Sequence, residues 1–250
     1  MNFEAPEFVF AAGLVFARLG AILMLMPGFA EPSIPTPIRL SFAFLLCLIL
    51  GPILAPSLPA MPAQPLLLAG MVVTEVLIGL MIGLIARIFM STAATAGQII
   101  SMQTGLAMAM SFDPSQGTQG AIMSTFLNLV FIALLFTTNL HHLLLRAAYD
   151  SYALFSPGLM PSMADAGLWA VDAFVDAFRI AVQLAAPLIV YGLIFYLALG
   201  VLSRLMPQLQ IFFIAMPANI MVGLFIVAIA LGAMAAVWLE RMQRFAVELS

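Results

Sequence analysis

Glu75 is the ionisable side chain whose setting most suggests chemistry. It stands inside the apolar run MVVTEVLIGLMIGL. A carboxylate within hydrocarbon is costly, so it either serves an ion or proton path or takes a buried partner. Arg18, inside GLVFARLGAIL, poses the same question with the opposite sign. Asp165, Asp172, Asp176 and Arg179 fall on one helical stripe, and Leu168, Val171, Val175 and Phe178 fall on another. Paired carboxylates can do acid–base work, but only Arg179 accompanies these. A helix lying at a membrane surface with a solvated face accounts for the pattern more simply. His141 and His142 are adjacent, so they leave a helix in different directions and cannot chelate one ion as an i, i+4 pair does. The single cysteine, Cys47, excludes an intramolecular disulfide and a cysteine metal cluster. There is no Gly-rich phosphate loop and no GxSxG. The residues therefore point away from an enzyme, a metal or a cofactor.

The elements that must position these residues are membrane helices. The chain has 250 residues, of which 64% are hydrophobic and 8% charged, against about 25% charge in a soluble domain. Mean hydropathy is +1.17. Spanning bilayer hydrocarbon as a helix takes roughly 20 apolar residues. Six runs approach or exceed that length: Phe8–Met26, Ile38–Pro56, Pro65–Ile85, Ile122–Asn139, Ile180–Leu202 and Ile211–Leu239. The short links PGFAEPSIPTP and PSLPAMPAQP are too rich in proline to continue a helix. Ala86–Ala121 and Leu140–Arg179 are long links. The acidic N-terminus MNFEAPEF has no basic n-region, so the first run is expected to be retained rather than cleaved. A net charge of −3 gives no sign of a nucleic-acid partner.

All eight cations are arginines, and they do not set a clear topology. Arg241 and Arg244 favour a cytoplasmic C-terminus. Six simple spans would then place Arg39, Arg87 and Arg204 on the far side. Segments buried against other protein chains, rather than crossing lipid in the ordinary way, would give so weak a bias. Glu75, Gly79, Gly83 and Arg87 recur every four residues and share one helix face. Gly79 and Gly83 form a small-xxx-small pattern that allows close helix approach. Glu75 and Arg87 are too far apart to pair, about 18 Å along a helix. Their partners lie elsewhere in the chain or in another subunit. The expectation is a subunit seam, with an intrachain buried ion pair as the other possibility.

The stretch QTGLAMAMSFDPSQGTQG, Gln103 to Gly120, is too polar to face lipid and too apolar for an ordinary aqueous loop. Methionine adapts to irregular gaps; Met108 and Met110 lie here, and Met102 lies just before. Gly105, Ala107 and Ala109 let other backbones come close. Asp113-Pro114 starts a turn, and a polar tip follows. Non-helical backbone at membrane depth is tolerated where protein buries it or where it lines a watery cavity. A re-entrant loop that blocks a pore fits these features, and so does a plain surface loop before a helix start.

Over almost its whole length the chain resembles the FliR/SctT proteins of type III secretion export gates. The residues that carry the resemblance are Glu75, Gly79 and Gly83, then GQIISMQTGLAMAMSFDP with Gly97, Gln98, Gln103, Gly105, Asp113 and Pro114. NLHHLLLRAAYDSYALFSPG is closer to the flagellar branch. SRLMPQLQIFFIAMP is the most specific match, through Arg204, Pro207, Gln208, Phe212 and Pro217.

The resemblance implies an all-α polytopic protein of about six long helices arranged as hairpins. Residues 1–178 would be FliP-like and would hold a plug loop at about 103–120. Residues 179–250 would be a FliQ-like hairpin turning near Met206-Pro207. The implied role is non-enzymatic: one copy joins several FliP and FliQ chains in a pore-forming gate in the bacterial inner membrane, at the flagellar basal body. FlhB wraps that gate, FlhA sits beneath it, and unfolded flagellar proteins pass through. The gate is raised largely out of the bilayer plane, so other subunits as well as membrane lipid surround it. Plug residues would be Met102, Gln103, Gly105, Met108, Met110, Phe112, Asp113 and Pro114. Subunit contacts would come from Glu75, Gly79, Gly83, Arg87, Arg204, Pro207, Gln208 and Phe212. Because the chain stops soon after the last helix, no fused switch-protein domain is expected. The alternative reading is a small-molecule or ion-coupled transporter centred on Glu75, which would want more intramembrane polar residues and matching halves.

Overall fold

A computed structural model describes residues 5–110, 122–208 and 210–248. The described residues are helical throughout, with no strand among them: α1 (Ala5–Leu25), α2 (Thr36–Leu54), α3 (Pro65–Gln103), α4 (Leu106–Met110), α5 (Ile122–Thr137), α6 (Leu140–Leu154), α7 (Met163–Leu205) and α8 (Ile211–Glu248). By length and composition, five of these helices can cross a membrane. A sixth span results if α5 and α6, bent by 75° at their junction, count as one.

Local chemistry explains most boundaries. After α1 the chain turns at Gly28, whose φ of +82° favours glycine. A Cβ there would also meet the Phe136 ring at 3.1 Å. Pro37 opens α2, at a position where a missing N–H costs nothing. The bend between α5 and α6 falls at Asn139, a non-glycine residue at φ 58°, and asparagine tolerates that left-handed conformation better than most. The turn between α7 and α8 lies at Met206–Gln208, where the proline at 207 was expected to place it.

Two of the long links are largely helix. Helix α3 continues past Ile85 to Gln103, 39 residues in all. Hydropathy falls after Ile85 because Arg87, Ser91, Thr92 and Gln98 are polar, not because helix propensity fails. Helix α7 likewise begins at Met163 and runs 43 residues without interruption. The amphipathic stretch Leu168–Ile180 is therefore the first half of α7 rather than a separate surface helix, and position 178/179 falls inside this continuous helix. Its packed face is neither of the two expected stripes. Ala173, Ala177, Ala181 and Ala185 are buried, whereas Leu168, Val171, Val175 and Phe178 are exposed.

The chain divides into two compact units. The first takes residues 1–89, 135–174 and 242–250. Its interior includes Leu14, Leu19 and Ile22 of α1, Ile78 and Ile85 of α3, and Leu144 of α6. The second takes residues 90–134 and 175–241. Its interior includes Ile100, Leu127, Leu188 and the stacked rings of Phe131 and Trp238, 4.6 Å between centroids. Apolar residues are buried very unevenly: 50% of the most apolar window of α1 is buried, against 17% for α2 and for α8. The exposed faces of α2 and α8 must therefore be covered by lipid or by other chains.

Candidate functional site

In the first unit Arg18 and Glu75 are both 0% exposed and form a salt bridge at 2.6 Å. Helix α1 carries the arginine and α3 the carboxylate. The bridge satisfies only part of each group; backbone adds further partners, while Arg18 Nη2 is buried with no hydrogen-bond partner among the described residues. Arg18 Nη1 donates to the carbonyls of Ser151 and Phe155, each at 3.0 Å. The Gly158 N–H donates to the second Glu75 oxygen at 2.8 Å. The guanidinium lies 4.2 Å from the Tyr152 ring centroid, a cation–π contact. The Tyr152 hydroxyl in turn donates to the Val15 carbonyl at 3.3 Å.

Close helix approach makes this geometry possible. A Cβ on Gly79 would stand 2.5 Å from the Arg18 carbonyl oxygen, and one on Gly83 would stand 2.8 Å from Leu25 Cβ. The seam expected to face another subunit at Glu75, Gly79 and Gly83 is thus filled by α1 of the same chain. The reason is physical: the nearest charge able to neutralise Glu75 is Arg18, and the glycines bring it within reach. Arg87, on the same stripe, is exposed and makes no ion pair among the described residues. Spacing alone could not match Arg18 to Glu75. The presence of one buried cation and one buried acid in separate apolar runs was the available signal.

In the second unit a junction forms where α3 ends. Gly105 has φ +74° and separates α3 from the short α4. Each of the residues at this break has its own seat. The Gln103 side chain lies over Gly192 of α7, so closely that a Cβ there would have to displace its amide end. The Thr104 side chain lies over Gly223 of α8 in the same way. Asn219 of α8 donates from Nδ2 to the Gln103 carbonyl at 3.2 Å. Thr104 closes the last turn of α3 by donating from Oγ1 to the Ile100 carbonyl at 2.9 Å. Nearby, α3 and α5 cross at Gly97, where a Cβ would run into the Ser124 backbone. Ser124 Oγ donates to the Ala94 carbonyl at 2.8 Å across that crossing.

Of the residues expected in the plug, Gln103 and Gly105 belong to this junction. Met102 and Met108 flank it with 62% and 59% exposure. Met110 is the last residue of α4. Phe112, Asp113 and Pro114 lie outside the described residues, as do Ser115 to Gly120. Arg204 is in the last turn of α7, and Pro207 and Gln208 form the turn; all three are exposed. Phe212 is in the first turn of α8. Gly192, Asn219 and Gly223 were not anticipated. Asn219 could have been, since it is the lone amide in the apolar run Ile211–Leu239.

Neither cluster is arranged for bond-making chemistry. No group of three or more His, Cys, Asp or Glu able to hold a metal ion exists among the described residues. The His141 and His142 rings lie 4.0 Å apart at a 39° tilt by the α5–α6 bend, closer than adjacent helix positions were expected to bring them. Glu75 is tied to Arg18 rather than presented to water. What the second cluster can do is mechanical: it fixes where a helix stops and where the following segment starts.

The sequence profile of the family described as Bacterial export proteins, family 1, matches residues 9–245. The chain is 45% identical to the flagellar biosynthetic protein FliR of Caulobacter vibrioides over 242 residues, covering 96% of each protein. It is 32% identical to the protein of the same name from Bacillus subtilis, covering 84% of this chain and 82% of that one. The Escherichia coli protein of that name is 30% identical, over 84% of this chain and 80% of its own length. With the profile spanning both helical units and identity this high over nearly all its length, the chain belongs to the bacterial export proteins, family 1.

Proposed function

We propose that this chain is a core component of the flagellar type III protein export gate, in the bacterial inner membrane at the flagellar basal body. With several FliP-like and FliQ-like chains it forms the pore through which unfolded flagellar subunits leave the cell. FlhB-like and FlhA-like proteins are its further neighbours. Residues 1–178 are its FliP-like part and residues 179–250 its FliQ-like part. The segment from about Gln103 to Gly120 closes the pore, with Met108, Met110 and Phe112 sealing it against methionines of adjacent chains. Arg87, Arg204, Pro207, Gln208 and Phe212 make contacts between subunits.

The observation that carries this reading is the junction at Gln103–Gly105. A helix ends there at Gln103, whose side chain lies on α7, beside a glycine that lies against Asn219 of α8, and the methionines on either side, Met102 and Met108, are exposed. Soft, adaptable side chains held at a fixed break suit a seal that repacks around varied polypeptides. The exposed apolar faces of α2 and α8 suit a chain surrounded by others, as do Arg87 and Arg204, both exposed and without an ion pair among the described residues. The transporter alternative loses its coupling group, because Glu75 is fully buried and bridged to Arg18. An ion-coupling carboxylate must exchange its proton or ion with water.

The test is a gentle-detergent pull-down of the tagged chain from its native membrane, with deletion of Leu106–Gln119 in parallel. Recovery of FliP-like and FliQ-like proteins in one large particle supports the gate. A membrane ion leak in the deletion strain supports the plug. A lone monomer with those partners present in the cell overturns the first; an unchanged membrane potential with the particle intact overturns the second.

A further inference from the structure

We infer that Asn219 is the positioning residue of the junction after α3, setting from α8 the place where the segment beginning at Leu106 leaves the helix. The inference deepens the gate reading and rests on it.

Asn219 is 2% exposed within an apolar helix. Burying an amide is unfavourable unless it is hydrogen-bonded. Its Nδ2 meets the Gln103 carbonyl, one of the terminal carbonyls that a helix leaves without an intrahelical partner. The same nitrogen stands 3.3 Å from where a Cβ on Gly105 would lie. A side chain at 105 would press on the amide, besides straining the positive φ. Gly223 follows Asn219 by four residues, hence on the same face of α8, and it receives Thr104. One helical face thus grips three consecutive residues: the Gln103 carbonyl, the Thr104 methyl and Gly105. Gly192 of α7 takes the Gln103 side chain. Asn219 Oδ1 is also buried, with no hydrogen-bond partner among the described residues. Among the described residues the amide is therefore held by one donated bond, a polar link between α8 and the break. Without it, Gly105 is free to choose another backbone conformation, and α4 departs in another direction.

The experiment uses the full chain in its native membrane complex, with Cys47→Ala as background and Met108→Cys added only where labelling is read. Asn219→Leu removes the donor, and Asn219→Asp keeps the shape while turning an acceptor toward the carbonyl. Three quantities are read: recovery of the particle, maleimide labelling of the cysteine at position 108, and ion leak beside the Leu106–Gln119 deletion. The expected result is an intact particle, labelling changed by about five-fold, the population shift that losing one net hydrogen bond produces, and a leak that approaches that of the deletion. Unchanged labelling and no leak, while the deletion leaks, overturns the role of Asn219 and leaves the gate reading standing. A deletion that does not leak overturns the gate reading itself; labelling then decides the positioning role alone. Gly105→Ala disturbs the same contact from the other side and leaves α8 whole. If the Asn219 variants do not assemble, unchanged labelling in Gly105→Ala overturns the inference.

Discussion

Arg18 and Glu75 are 57 residues apart in sequence and 2.6 Å apart in space, with no exposed surface on either. Their bridge joins α1 to α3, and its remaining hydrogen bonds reach the end of α6 and the turn at Gly158. Four segments of the first unit therefore meet at one pair of charges. In apolar surroundings such a pair is a specificity device more than a source of net stability, because desolvation offsets most of the attraction.

Breaking one side of the pair is expected to be severe. Arg18→Met or Glu75→Leu alone leaves an uncompensated buried charge, worth about 3–5 kcal/mol of destabilisation. The double variant recovers most of that loss. Thermal unfolding of the chain in detergent, compared across the four genotypes, checks it. Additive losses in the double variant would show that the two residues act independently.

Gly79→Ala should cost more than an ordinary helix substitution, although alanine favours a helix by about 1 kcal/mol over glycine. The added methyl would stand 2.5 Å from the Arg18 carbonyl and 2.7 Å from Ala21 Cβ, so α1 must move and loosen the bridge. The expected sign is destabilising, by roughly 1–3 kcal/mol as for overpacking. Gly70→Ala, where a Cβ meets nothing within 4 Å, is the matched control and should be neutral or stabilising. Melting of the two variants side by side distinguishes them.

Asn139→Val should weaken the α5–α6 bend by about 1–3 kcal/mol, because a β-branched residue does not tolerate its positive φ. Asn139→Gly should be close to wild type. Limited proteolysis between Thr137 and His141 in the detergent-solubilised chain gives the readout: faster cleavage for valine, unchanged for glycine.

Arg204→Ala is expected to leave the folding of the chain within about 0.5 kcal/mol of wild type, as for exposed positions generally. It should nevertheless reduce recovery of the partner chains in the pull-down. Arg204 is exposed, with no ion pair among the described residues, so a structural loss within the chain is not expected. Motility and particle recovery both at wild-type levels would remove Arg204 from the subunit interface.

Much of this fold could be read from the chain because apolar runs and prolines carry it. The starts of α2, α3, α5 and α8 fall within two residues of the starts of four runs. The turn at Pro207 was legible for the same reason. The continuations of α3 and α7 were not, since hydropathy reports exposure to lipid and says little about helicity in a polar segment. Buried alanines such as Ala93 and Ala96 carry those continuations. The Arg18–Glu75 bridge was half legible: the need for partners was evident, the pairing was not, because a contact across 57 residues leaves no local spacing to read. The seat of Gln103–Gly105 was hidden for the same cause. Its glycines, Gly192 and Gly223, lie in runs where glycine is common, and only the tertiary fold shows what rests on them.

The length of α7 has a consequence for the surroundings of the chain. Its 43 residues follow a helical path of roughly 64 Å, about twice the 30 Å of bilayer hydrocarbon. One membrane cannot clothe it from end to end. The stretch after Val182, rich in exposed Val, Leu and Ile, is long enough to fill the hydrocarbon by itself. The stretch before it carries Asp165, Asp172, Asp176 and Arg179, the last two bridged at 3.0 Å, and suits water or other chains better than hydrocarbon. Pro187, inside the second stretch, removes one backbone hydrogen bond and marks where this helix can bend.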